Sequence, residues 1–137
     1  MNDHVSTHQA EEDARNDQIL IWVDGALKPK AQAVVSVYDS GFMLGDGVWE
    51  GVRLYNGKWT FLDEHIDRLF EAAKAIDLDI ARTKDQVIAA ILETQAANQM
   101  TTDAHARLMV TRGVKTRPFQ HPKLSQQGPT MVIIMEH

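Results

Sequence analysis

The chain has 137 residues, 44% hydrophobic and 24% charged, with a formal net charge of −5 and no cysteine. That length suits one globular domain that buries a core without staples, and the acidic balance argues against a nucleic-acid partner. The lack of cysteine excludes disulfides, thiolate metal sites and a thiol nucleophile.

Residues 1–18 are polar and aperiodic and read as a mobile tail. They carry Asp3, Glu11, Glu12 and Asp13 and no apolar segment, so they do not resemble a secretory leader. No apolar run approaches the roughly 18 residues of a membrane span. No membrane partner is therefore expected, and the cytoplasm is the default location.

Ordered structure is expected from Ile19, where the apolar run Ile19 to Val23 stops at the hairpin signal Asp24-Gly25. Val34 to Val37 is a second strand candidate. It leads into a loop, Tyr38 to Gly47, with glycines at 41, 45 and 47. Val48 to Leu62 reads as a hairpin turning at Asn56-Gly57. Asp63 is expected to cap a helix whose apolar positions Ile66, Leu69, Phe70, Ala73 and Ile76 keep a 3.6-residue period. Thr83 and Gln86 form a capping-box pattern for a second helix, with the stripe Val87, Ile88, Ile91, Leu92 and Ala96 and a stop at Asn98. Ala104 to Thr111 alternates apolar and polar residues as a half-buried strand does, and Thr130 to Glu136 is a final strand. Strands interrupted by a helical pair predict an α+β domain over 19–137, a mostly antiparallel sheet with two helices packed on it. The last strand stops abruptly for a domain, since a terminus usually carries slack.

The glycines from Gly41 to Gly47 have two readings, a backbone cradle for a ligand or a tight turn. They form neither a Walker A loop nor a dinucleotide fingerprint. Arg68 also has two readings. With Glu64 at i−4 it makes an ordinary helix-surface ion pair; yet His65, Ala72 and Ala75 make its face small rather than charged, and a guanidinium there suits a phosphate. Arg107, Arg112 and Arg117 are further candidate cations, and Arg107 shares a strand face with Met109 and Thr111. No HExxH spacing and no GxSxG elbow is present, so no metal site and no serine hydrolase are expected.

Taken in order, Asp39-x-Gly41-Phe42-x-x-Gly45-Asp46-Gly47-Val48-Trp49-Glu50, Tyr55-Asn56-Gly57, Glu64-His65-Ile66-Asp67-Arg68-Leu69 and Val110-Thr111-Arg112-Gly113 resemble the N-terminal domain of class IV (branched-chain and D-amino-acid type) pyridoxal-phosphate aminotransferases. The resemblance covers about residues 19–136. It implies the small α+β domain of fold-type IV enzymes, pyridoxal 5′-phosphate as cofactor, an amino acid (or amine) and a 2-oxo acid as substrates, and a homodimer. It assigns Arg68 to the cofactor phosphate. Trp49, Gly51 and Arg53 match positions that wall the substrate pocket or approach the cofactor. Arg107 matches an active-site arginine of branched-chain enzymes, and Arg117 the carboxylate-holding arginine of D-amino-acid enzymes. The chain departs from the family pattern at Leu44 and His105, where branched-chain enzymes carry aromatic residues, and at Phe119, where the D-amino-acid type has histidine.

The family's Schiff-base lysine belongs to a C-terminal domain, and none of Lys28, Lys30, Lys58, Lys74, Lys84, Lys115 and Lys123 matches it. No catalytic residue is therefore expected in this chain. The lysine is expected beyond His137, and this chain alone is expected to be inactive. Two alternatives stand beside the aminotransferase: an aminodeoxychorismate lyase of the same fold, and a non-catalytic domain.

Overall fold

A computed structural model describes residues 12–137 of the chain. The first hairpin forms at the predicted turn. Strand β1 (Leu20–Val23) pairs with β2 (Ala26–Pro29) across Asp24 and Gly25, both at positive φ (48° and 95°). Positive φ at both central residues gives the turn a twist that matches its strands. Val34 to Val37 is not a strand. The sheet ends at β2, whose last residue Pro29 lacks an N–H donor, and Val34, Val35 and Val37 stay exposed.

The glycine-rich segment is partly helical. Helix α1 (Ser40–Leu44) starts where the Asp39 carboxylate accepts from Gly41 N (2.8 Å). Strand β3 (Gly47–Tyr55) follows, turns at Asn56-Gly57 (φ 49° and 74°) and returns as β4 (Lys58–Trp59).

Helix α2 (Leu62–Ala75) begins one residue ahead of the expected cap. Phe61, at φ 52°, is the capping position; its carbonyl accepts the first helical bond, from His65 N, while Asp63 lies inside the first turn beside Glu64. Both acids there complement the positive end of the helix dipole. Helix α3 (Lys84–Ala97) carries the predicted reciprocal Thr83–Gln86 box and stops at Asn98. Of the expected stripe, Val87 and Ile91 are buried and Ile88 is half-buried; Ala90 and Thr94 complete the buried face, and Leu92 and Ala96 are exposed. Ile76 likewise falls past the end of α2 and is exposed. Strands β5 (Ala104–Thr111) and β6 (Thr130–Glu136) have the expected bounds.

The sheet is antiparallel, in the order β2-β1-β6-β5-β3-β4. Alternation sends Val52, Leu54, Ala106, Leu108, Val110, Met131, Ile133 and Met135 to one face, where Ile66, Leu69 and Ala73 of α2 and Val87 and Ile91 of α3 complete the core. The α+β expectation with two packed helices is met, with α1 added.

Order begins ahead of Ile19. A turn of 3₁₀ helix spans Ala14–Asn16, and Asn16 exchanges two hydrogen bonds with the His137 backbone (2.8 and 3.3 Å). The expected tail is therefore structured at residues 14–16; residues 1–11 lie outside the described residues.

Candidate functional site

Strand parity places Glu50 with Val52 and Leu54 on the helix-covered face, and Glu50 is only 4% exposed. A buried carboxylate needs a cation, and α2 supplies one. Arg68 Nε donates to Glu50 Oε1 at 2.6 Å and Nη2 to Oε2 at 2.8 Å, while His65 Nδ1 lies 2.7 Å from Oε2. An ionised carboxylate only accepts, so that histidine nitrogen carries the proton. The Arg68 hydrogen bonds hold the Glu50 carboxyl below its ordinary range, with His65 adding to them and burial opposing them; Glu50 in turn raises Arg68. Arg68 does not pair with Glu64. The arginine that sequence left between surface pairing and phosphate binding is tethered along one edge only. Its side chain is 67% exposed, and Nη1 has no protein partner among the described residues.

Trp49, Gly51 and Arg53 share the opposite, open face of the sheet with His105, Arg107 and Met109. Arg68 therefore lies across β3 from them. β4 pairs only with Leu54 and Tyr55, so the β3 edge from residue 47 to 52 has no strand beside it, and the two groups flank that free edge. Arg107 stacks on Trp49, its guanidinium carbon 4.4 Å from the ring centroid. Arg117 is exposed in the turn after β5, and no hydrogen bond or ion pair links it to either group.

Arg112 is not a free cation. Its guanidinium grips Asp46 (2.7 and 3.2 Å) and donates to the carbonyls of Ile76 and Asp77 (2.7 and 2.8 Å) at the end of α2. The loop glycines also have structural reasons. Gly45 (φ 65°) closes α1, a Cβ on Gly41 would strike the Thr111 side chain, and one on Gly47 would sit 2.7 Å from the Val110 carbonyl. The tight-turn reading accounts for Gly45, while Gly41 and Gly47 are explained by the close approach of β5. Sequence reasoning missed Glu50 as the partner of Arg68, although its core-facing parity was a usable signal.

A protein-family model described as amino-transferase class IV matches residues 47–137. Among curated proteins, branched-chain-amino-acid aminotransferase-like protein 1 of Arabidopsis thaliana is 40% identical over 121 residues, covering 88% of this chain and 22% of that protein. D-alanine aminotransferase of Listeria monocytogenes is 42% identical over 101 residues, 74% of this chain and 34% of that protein. Among solved structures, the branched-chain aminotransferase of Thermoproteus uzoniensis with norvaline superposes with a TM-score of 0.73 at 28% identity, over 87% of this chain and 40% of that one. The 4-amino-4-deoxychorismate lyase of Pseudomonas aeruginosa gives a TM-score of 0.65 at 29% identity, over 84% and 38%. The six-stranded antiparallel sheet with its helices matches the α+β N-terminal domain of class IV aminotransferases. The chain belongs to the class IV aminotransferase family. It spans roughly a fifth to a third of the length of these curated relatives.

Proposed function

We propose that this chain is the phosphate-binding N-terminal domain of a pyridoxal-phosphate-dependent aminotransferase that moves an amino group between an amino acid or amine and a 2-oxo acid. The observation that carries the reading is Arg68, an exposed guanidinium held on one edge by buried Glu50 with its other edge free. A planar fork of charged donors suits a phosphate dianion, and Glu50 with His65 limits the orientations Arg68 can take. Pyridoxal phosphate, when bound, supplies the electron sink for amino-group chemistry. The residues of this chain bind its phosphate at Arg68, offer Trp49, Gly51, Arg53 and Arg107 to the substrate on the open face, and supply Arg117 as a second carboxylate candidate.

The same reading puts the catalytic lysine in a second domain beyond His137 and leaves this chain alone without turnover. It includes a homodimer. Val34, Val35, Val37, Tyr38, Phe42 and Leu44 are large apolar side chains left exposed along one segment, a surface of the kind folded proteins cover. A lyase acting on aminodeoxychorismate shares the fold, but the relatives at 40% and 42% identity are named as aminotransferases, which favours transfer.

Two experiments test the reading. Arg68→Ala is expected to weaken pyridoxal-phosphate binding, followed by fluorescence quenching, by about 10- to 100-fold, the worth of charge-assisted hydrogen bonds; unchanged affinity removes Arg68 from the assignment. Sequencing past the His137 codon is expected to find an open frame encoding a lysine-bearing domain. An in-frame stop there would favour a non-catalytic domain instead.

A further inference from the structure

The chain holds two of its candidate site arginines in opposite ways. Arg68 spends one edge of its guanidinium on a carboxylate. Arg107 spends none: among the described residues it has no ion pair or hydrogen bond through its side chain, and its contact is the face of Trp49. Glu136, an acid on the same sheet face, lies 3.9 Å from Lys30 instead. An aromatic face attracts a cation without consuming its N–H donors, so Arg107 keeps its charge and its whole donor fork.

Register explains how the stack forms. Trp49 lies opposite Met109, and Arg107 lies opposite Gly51, so the Trp49–Arg107 contact is diagonal. Gly51 leaves the space between them open. A Cβ built there would already be 3.8 Å from the Trp49 ring, so any longer side chain would compete for the path the indole takes towards Arg107. Trp49 is 59% exposed, so burial alone does not hold the ring.

We propose that Trp49 is a positioning residue for Arg107: the indole fixes the guanidinium over the open sheet face, with its donors directed to the carboxylate of an amino or 2-oxo acid. This deepens the reading of that face as the substrate side and rests on it. An arginine anchored by a ring loses less rotamer freedom on meeting a carboxylate than a free one does. Gly51 is the third member of the unit, because its missing side chain permits the stack.

The test uses the 137-residue chain and nuclear magnetic resonance of the arginine Nε–H and tryptophan Nε1–H groups, with pyruvate as the probe. Pyruvate is expected to shift the Arg107 and Trp49 signals saturably. Trp49→Phe, which keeps an aromatic face, is expected to hold the affinity within about threefold; Trp49→Leu is expected to weaken it by roughly fivefold or more, and Arg107→Met to abolish it. Equal affinities in Trp49→Phe and Trp49→Leu, or an Arg107 signal indifferent to pyruvate, overturn the proposal. The substituted residue is exposed, so amide spectra are expected to stay native-like, which separates lost positioning from lost folding. Inorganic phosphate titrated in parallel reports on Arg68. If phosphate moves Arg68 while pyruvate leaves Arg107 still, the positioning proposal fails and the cofactor reading stands; if neither anion acts, both fall.

Discussion

Glu50 and Arg68 meet across the β3–α2 interface in a two-pronged ion pair, one partner 4% exposed and the other held largely in solvent. The pair couples the orientation of α2 on the sheet to the way Arg68 presents its free edge. It also has a pH signature. The folded-state pKa of Glu50 is depressed, so the stability it contributes is complete above the ordinary glutamate range and is lost as pH falls through the depressed value. Glu50→Gln is therefore expected to flatten the acid limb of the stability curve, measured by urea unfolding between about pH 3 and 7. A wild-type slope retained in the variant would mean another group carries it.

Arg68→Lys separates charge from geometry. Lysine keeps the positive charge but cannot make the two-pronged contact with Glu50 while leaving a planar edge free. Phosphate affinity is expected to fall by about tenfold, most of the alanine effect. Retention of wild-type affinity in isothermal titration would show that charge alone suffices.

Arg112→Met tests the clamp that ties Asp46 to the end of α2. It removes four hydrogen bonds and leaves a largely shielded carboxylate without its cation. The expected loss is about 2–4 kcal/mol of unfolding free energy, read from the denaturation midpoint. Asp46→Asn, which leaves the two carbonyl contacts in place, is expected to cost less.

Leu69→Ala addresses the packing that carries Arg68. Leu69 is fully buried against the sheet, and its truncation is expected to cost about 3–4 kcal/mol. Phosphate binding measured well below the unfolding midpoint is expected to change little, because the Glu50 tether, not the apolar contact, orients Arg68. A binding loss as large as that of Arg68→Ala would reverse that ranking.

Much of the fold was legible because local chemistry and tertiary context agree in it. The bounds of β5 and β6 follow from strand periodicity, and Asp24-Gly25 and Asn56-Gly57 turn where their φ preferences require. The Thr83–Gln86 box opens α3 as its spacing demands. Other features were hidden for physical reasons. Apolar residues surround much of α3, so periodicity did not single out the 87, 90, 91, 94 face. Val34 to Val37 reads as a strand in isolation but pairs with no strand of the sheet. Within the site, Arg68 was visible as a candidate but its partner was not, because Glu50 lies 18 residues away on another element. The Trp49–Arg107 stack depends on a strand pairing that local pattern does not encode.

The clasp between Asn16 and His137 has a mechanical consequence. β1 and β6 are antiparallel neighbours, so the start of the first strand and the finish of the last emerge at the same end of the sheet. Tension applied between them would not shear the sheet. It would open the clasp and then peel the β1–β6 ladder one rung at a time, the low-force geometry of a zipper. A translocating unfoldase that gripped the chain beside either strand would meet this seam first.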